Sequence, residues 1–212
     1  MSLTVFGLFL IFVVGQTIAG WNDHNNQQRL HRETPDSLGA YLQSGDYYEA
    51  LFENWESEFL QMGAYILLTA KLFQRGSSES KDPDQPESAD EDPELKKDDP
   101  DVPGPVKAGG WRLKLYSHSL SGAFIALFLA SFVGHAIGGA RAYSDELEQF
   151  GQAPVSTWEY LGSARFWFES LQNWQSEFLA VFCIVVLSIW LREHGSPESK
   201  PVTAPHSQTG SE

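Results

Sequence analysis

Long apolar runs alternate with polar stretches along this chain of 212 residues. Residues 1–22 contain no charged side chain, and residues 115–140 contain no Asp, Glu, Lys or Arg. Two shorter apolar runs must extend upstream, because a helix that crosses ~30 Å of hydrocarbon needs about 20 residues. The pattern therefore predicts an all-α membrane protein with four transmembrane helices, at residues 2–21, 54–73, 121–140 and 173–192.

Two motifs occur twice, at an offset of 119 residues, the separation of Asn54 from Asn173. "NWESEFL" at 54–60 matches "NWQSEFL" at 173–179 in six of seven positions, and "GSSESK" matches "GSPESK" in five of six. Because one offset also aligns the apolar runs without a gap, we interpret the chain as two tandem two-helix repeats. The first apolar run has a counterpart in mid-chain, so we expect a membrane span rather than a cleaved signal peptide.

The duplication divides the chain into four segments. The first repeat covers residues 1–75, a linker 76–110, the second repeat 111–195 and a tail 196–212. Between Glu79 and Asp101 there are eleven acidic residues and three lysines, with few apolar side chains. Such a segment cannot bury enough surface to offset its ordering entropy, so we expect the linker and the tail to be disordered.

The repeated motifs also carry a resemblance to a known family. With "NWxSEFL" and "GSxESK" in both halves, the chain resembles a bacterial integral-membrane family known only as a domain of unknown function. The resemblance covers most of the chain except the linker. It implies location and architecture, and it implies no activity or site.

Charge restricts the partners and the orientation. A net charge of −14 argues against nucleic acid, because phosphate binding needs a basic face. Lys and Arg near the span ends are concentrated beside the linker and the termini, which are therefore expected in the cytoplasm. We expect a multi-pass protein of the cytoplasmic membrane, in contact with the lipid bilayer. A basic lead-in at 111–119 has no counterpart before the first span. Either the first copy has lost its lead-in, because a free N-terminus needs less anchoring, or the native chain starts about ten residues upstream, which we slightly favour.

A set of polar residues is expected in one layer, about 6–7 Å below the outer surface of the bilayer. Gln16, Glu58, His135 and Glu177 are expected at this depth, and Asn54 and Asn173, each four residues before a glutamate on the same helix face, complete the candidate layer. Ionisable groups at such depth are costly and usually face the interior of the bundle. The layer is either a structural hydrogen-bonded clamp or a site for a proton, a cation or a polar head group. No tight metal-ligand spacing occurs, so we expect no metal and no cofactor.

Small residues recur every four positions along the third span. They are Gly122, Ala126, Ala130, Gly134 and Gly138. A ridge of small residues allows close helix contact in lipid. It packs either on the first span or on a second copy of the chain in a homo-oligomer.

Signatures of common enzymes are missing from the sequence. It has no phosphate-binding Gly-rich loop, no CxxC and no GxSxG motif. The other histidines, His24 among them, lie in polar surroundings and are expected to be solvated. We therefore expect a non-enzymatic membrane protein of unknown activity that acts through protein or lipid partners. The alternative is a small ion, proton or solute transporter that uses the polar layer.

Overall fold

The computed structural model describes residues 1–85 and 87–210. Four long helices dominate it: α1 (Ser2–His31), α3 (Gly45–Thr69), α6 (Ser119–Gln149) and α8 (Ala164–Leu187). The short α-helices are α2 (Leu38–Tyr41), α4 (Gly104–Ala108), α5 (Gly110–Ser117) and α7 (Thr157–Leu161). Two 3₁₀ turns lie at Ser88–Asp90 and Pro93–Lys96. The described residues contain no strand, so the all-α prediction is confirmed.

Three of the long helices, α1, α6 and α8, are long and apolar enough to cross a membrane. None of the 18-residue apolar window of α1 is buried within the protein, and only 6% of that of α8 is. Exposed apolar surface of this extent is typical of membrane proteins, because its exposure to water would cost a large amount of free energy. Three helices meet this description where four were predicted, because α3 carries Glu53, Glu56 and Glu58 in its middle and ends at Thr69.

Corresponding helices of the two halves begin 119 residues apart: α2 with α7, and α3 with α8. Ser37 precedes α2, and its side chain accepts a hydrogen bond from the backbone N–H of Ala40. Ser156 precedes α7 and accepts from Glu159 in the same way, with the Glu159 side chain completing a capping box. Local structure is therefore alike at positions that the sequence offset makes equivalent.

The chain divides into two compact units, which are described separately. The first comprises Met1–Glu56 and Leu129–Leu171, and the second comprises Ser57–Phe128 and Gln172–Glu212. A core in the first unit is formed by buried residues from α6, α7 and α8: Ala136, Ala140, Tyr160 and Phe166.

Two tyrosines of the first unit pack on glycines of the long helices. A Cβ atom added to Gly20 would lie 2.2 Å from the Tyr41 hydroxyl oxygen, and one added to Gly139 would lie 2.3 Å from that of Tyr160. Both tyrosines are buried. No side chain fits at either glycine, so the absence of a Cβ atom is what lets each hydroxyl approach its helix.

Part of the predicted ridge of small residues is occupied by α3. A Cβ atom at Gly134 or Gly138 would lie 2.6 or 2.7 Å from the nearest α3 atom. The other members of the ridge are exposed: Gly122, Ala126 and Ala130. The ridge is therefore not one continuous free face, and its use in a homo-oligomer stays a prediction.

Both copies of the GSxESK motif lie in the second unit, where they form the same turn. Gly76 and Gly195 have φ angles of 85° and 83°, in the left-handed region that favours glycine. The hydroxyl of Ser80 or Ser199 accepts the backbone N–H six residues upstream, at 2.8 or 2.9 Å. The same hydroxyl donates to the carbonyl of the following lysine. The motif therefore closes a turn of its own, beyond the ends of α3 and α8.

The start of the linker and the tail contact each other in the second unit. The ammonium of Lys200 is buried and donates to the backbone carbonyls of Gly76, His206 and Gln208. These three acceptors match the three donors of the ammonium. Order is thus present at residues 76 and 200–208, and the predicted disorder of the rest stays a prediction.

Candidate cation site

His135 lies at the centre of the candidate site, fully buried on α6 of the first unit. Its Nδ1 atom is 3.0 Å from Oε2 of Glu56 on α3, and its Nε2 atom is 3.5 Å from Oε2 of Glu169 on α8. The side chain of Glu56 is 0% exposed and that of Glu169 13%. Phe166 stacks on the imidazole with the ring centroids 4.8 Å apart. The imidazole therefore lies between two carboxyl groups in apolar surroundings.

Tyr160 brings a third carboxyl group into contact. Its hydroxyl oxygen is 3.1 Å from Oε1 of Glu49 and also contacts Oε2 of Glu169. Burial, reinforced by the hydrogen bond to Glu169 and the charge of Glu49, raises the pKa of Tyr160 far above its usual 10.0, so it remains a donor. One hydroxyl proton can serve only one of two carboxylates. The second contact therefore needs a proton on that carboxyl group or a cation nearby.

Arg165 fixes the other side of Glu169. Its Nε atom donates to Oε1 of Glu169 at 2.8 Å, and its guanidinium also contacts Glu146. The guanidinium carbon lies 4.8 Å from the ring centroid of Tyr143, at cation–π distance. Oε1 of Glu169 therefore accepts the hydrogen bond from the arginine, and Oε2 faces His135.

These side chains form one group, which we call the buried cluster: Glu49, Glu56, His135, Tyr160, Arg165 and Glu169. Together with Glu146 at its edge, it places four carboxyl groups around two side chains that can be cationic. A buried carboxylate without a counter-charge costs several kcal/mol. The buried cluster therefore favours the uptake of positive charge, either as a proton or as a cation.

Three members of the buried cluster could hold a metal ion. Glu49, His135 and Glu169 each offer one ligand atom, and these atoms all lie within 4.8 Å of one another. The Nε2 atom of His135 is buried and has no hydrogen-bond partner among the described residues. Imidazole and carboxylate together are typical ligands of divalent first-row metals.

An acidic cavity of about 900 Å³ also lies in the first unit. Eight carboxyl groups line it: Asp23, Glu33, Asp36, Asp46, Glu49, Asp145, Glu146 and Glu148. Glu49 and Arg165 belong to both the cavity wall and the buried cluster, so the cavity reaches the cluster. A cavity lined mainly by acidic side chains raises the local concentration of cations.

His24 lines the same cavity and was wrongly predicted to be solvated. Its Nδ1 atom is 2.6 Å from Oδ2 of Asp46, and its Nε2 atom is 3.2 Å from Oδ2 of Asp36. The side chain is only 16% exposed. The partners lie 22 and 12 residues away along the chain, so no short sequence spacing could reveal them.

Two other residues of the predicted polar layer lie in the first unit but outside the buried cluster. Gln16 and Asn54 are exposed in the first unit, and both donate to one backbone carbonyl of α3, at 3.4 and 2.8 Å. His135 is the member of the layer that lies in the buried cluster. Its partner on α3 is Glu56, half a turn from the predicted Glu58.

The rest of the predicted layer belongs to the second unit. Glu58 is exposed, and Asn173 and Glu177 are half-buried. The backbone carbonyl of Glu177 accepts a hydrogen bond from Gln61 at 3.1 Å. A role of these residues in one polar layer stays a prediction.

Sequence reasoning missed Glu49, Glu56 and Glu169 because it favoured residues that recur in both halves. At the offset of 119 residues their counterparts are Phe168, Gln175 and Ala50. A signal for two of them was present: Glu49, Glu53 and Glu56 are spaced i, i+4 and i+7, which puts three acids on one helix face.

The fold and the site together define a class: an all-helical protein with membrane-type helices and a buried group of ionisable side chains. A family model described as "Domain of unknown function (DUF6766)" matches residues 1–211. The chain belongs to that family, and the resemblance to a family of unknown function is confirmed. No curated protein and no solved structure matches the chain.

Proposed function

We propose that this protein is a small multi-pass transporter of the cytoplasmic membrane that binds a cation in the buried cluster of its first unit. The observation that carries the proposal is the surplus of carboxyl groups around His135 and Arg165. Burying such a surplus is costly unless positive charge is bound there. A protein that acts only by docking protein or lipid partners has no need of it, so the surplus favours the transport hypothesis.

In this proposal four helices cross the bilayer, and α3 is the fourth in addition to α1, α6 and α8. Composition alone counts against α3 because of its glutamates, but Glu56 is fully buried against His135 and so is not offered to lipid. Charges that face the interior of a bundle are the usual form of ionisable groups in membranes. The distribution of Lys and Arg then favours cytoplasmic termini and a cytoplasmic linker.

We also infer that the four helices arose by duplication of a two-helix unit. Three observations support this: the corresponding helix starts, the two glycine–tyrosine contacts, and the two turns of the GSxESK motif. Two such units in one chain would enter the membrane in the same direction, as parallel repeats.

Transport is tested with the purified protein in liposomes. Cation entry is followed with an internal dye, one preparation with a pH-sensitive dye and one with a dye that responds to divalent ions. The double variant Glu49→Gln with Glu169→Gln removes two charges from the buried cluster, and we expect it to abolish the flux. The matched control, Glu58→Gln with Glu177→Gln, removes two charges from the second unit and should retain it.

Two results would overturn the proposal. One is a wild-type flux equal to that of empty liposomes for every cation tested. The other is an equal loss of flux in both double variants while each remains monodisperse in detergent with the melting temperature of the wild type, since the cluster would then have no special role.

A further inference from the structure

We propose that the buried cluster binds a divalent first-row transition metal ion, with Nε2 of His135 and the carboxylates of Glu49 and Glu169 as its ligands. This inference rests on the proposed function for the place of the site, and it names the chemical class of the bound cation. Four features of the first unit support it: the contact of the His135 Nδ1 atom with Glu56, the unpartnered Nε2 atom, the geometry of the carboxylates, and the cavity.

The contact with Glu56 prepares His135 for a metal. A carboxylate 3.0 Å from Nδ1 accepts the Nδ1–H bond, and we assign the tautomer on that basis. The lone pair of the neutral imidazole is then on Nε2. A ligand histidine in proteins usually donates its other N–H to a carboxylate or carbonyl, which orients the ring and increases its basicity. Glu56 is thus a positioning residue in this site.

The Nε2 atom is buried, has no hydrogen-bond partner in the described part of the chain, and faces Oε2 of Glu169 at 3.5 Å. In the assigned tautomer both atoms are acceptors, so they repel each other unless positive charge lies between them. Unsatisfied buried polar atoms are rare in native proteins and need an explanation. A metal ion bound by Nε2 satisfies that nitrogen, and Oε2, which the Tyr160 hydroxyl also contacts, lies close enough to share the ion.

The carboxylates are arranged to complete the site. Arg165 binds Oε1 of Glu169, and the Tyr160 hydroxyl contacts both Oε2 of Glu169 and Oε1 of Glu49. Ligand atoms that are each ~2.1 Å from one ion in tetrahedral geometry lie ~3.4 Å apart. The ligand atoms here lie within 4.8 Å of one another, so their separations must shorten by at most ~1.4 Å to close the site.

The ligand set selects the class of ion. Calcium and magnesium prefer all-oxygen sites, and soft ions such as Cu(I) prefer thiolate or thioether sulfur. One imidazole with two carboxylates suits Zn²⁺ or Mn²⁺. The acidic cavity provides the approach, because its wall includes Glu49 and would concentrate divalent ions beside the ligands.

The experiment uses the full chain, purified in detergent without a histidine tag and stripped of metal by a chelator. Zn²⁺ is titrated by calorimetry, and Mn²⁺ by electron paramagnetic resonance, which reports on the free and bound ion without any assay of transport. We expect one ion per chain. His135→Ala and Glu49→Gln should each weaken binding by about 100-fold, and Glu56→Gln by about 10-fold.

His118→Ala provides the control, because His118 is exposed and should bind like the wild type after the change. The inference is overturned if the wild type binds neither ion at micromolar concentration, or if Glu49→Gln and His135→Ala both bind as tightly as the wild type. Should His135→Ala fail to fold, Glu49→Gln alone decides, since it preserves the shape of the side chain. Flux of protons without metal binding refutes this inference and leaves the proposed transport intact. Metal binding without any flux supports this inference and refutes the proposed transport.

Discussion

The contact between Gly139 and Tyr160 makes a quantitative prediction about the stability of the site. In Gly139→Ala the new Cβ atom would lie 2.3 Å from the tyrosine hydroxyl oxygen and 2.6 Å from two ring atoms. Ordinary carbon contacts lie at about 3.5–4.0 Å, so the ring must move by about 1 Å. Tyr160 is fully buried and cannot move without disturbing its neighbours. Overpacking of this kind costs ~1–3 kcal/mol.

Gly15→Ala is the matched control, because a Cβ atom there meets nothing within 4 Å. Both substitutions replace glycine by alanine inside a long helix, so the gain in helix propensity, up to ~1 kcal/mol, is common to both. The difference between the two variants therefore isolates the clash. For a chain of this size, ~1–3 kcal/mol corresponds to a difference of about 2–12 °C in melting temperature.

The assay is thermal unfolding in detergent, followed by tryptophan fluorescence, with Zn²⁺ binding measured on the same samples. We expect Gly139→Ala to melt below Gly15→Ala and to bind Zn²⁺ more weakly, since the displaced tyrosine no longer joins the carboxylates. Equal melting temperatures for the two variants would refute the packing argument.

Three further predictions follow. Tyr160→Phe should leave two carboxylates facing each other without their shared donor, at a cost of ~1–3 kcal/mol in stability. Its melting temperature should therefore fall, and the addition of Zn²⁺ should raise it by more than it raises that of the wild type. Hydrogen bonds from the Ser156 side chain and backbone hold the pKa of Glu159 below its usual 4.5, so this capping box contributes stability above pH 4.5 that is lost as the pH falls. Ser156→Ala should flatten this acid dependence in melting curves between pH 3 and 6, and an unchanged slope would contradict it. In a cysteine-free background, Leu30→Cys should react with an impermeant maleimide from outside the cell and Asp90→Cys only after lysis; the opposite pattern would refute the proposed orientation.

Apolar runs and the repeated motifs were enough to predict the all-helical class and a long helix in each of four regions of the chain. Both signals can be recognised in the sequence without any knowledge of how the helices pack. The predicted bounds differ from the structure, since the spans at 54–73 and 173–192 begin nine residues after the starts of α3 and α8. The helix α3 shows what composition alone misses. Glu56 counts against a membrane helix by composition, yet in the structure it is buried against His135. Whether a charge faces lipid depends on a partner 79 residues away.

The buried cluster could be predicted only in part, for a related reason. His135 was found because a histidine in an apolar run is costly wherever it lies. Its partners were missed because the repeat directed attention to Glu58 and Glu177, which recur in both halves. The acids that meet at His135 occur in one half only. Residues that recur mark the common scaffold, whereas a site built at a single place depends on the differences between the halves.

Those differences have a consequence for how many ions one chain can hold. Two repeats with identical sequences would carry identical residues, and the chain would then have two equal sites or none. Here the positions equivalent to His135, Glu56, Glu49 and Glu169 are Gln16, Gln175, Phe168 and Ala50, so the sequence provides no counterpart with the same ligands. In the proposed duplication, joining the two repeats in one chain removed the constraint of symmetry. If the proposed site is the one that binds metal, a single chain binds with one affinity, and sigmoidal saturation would have to come from contacts between chains.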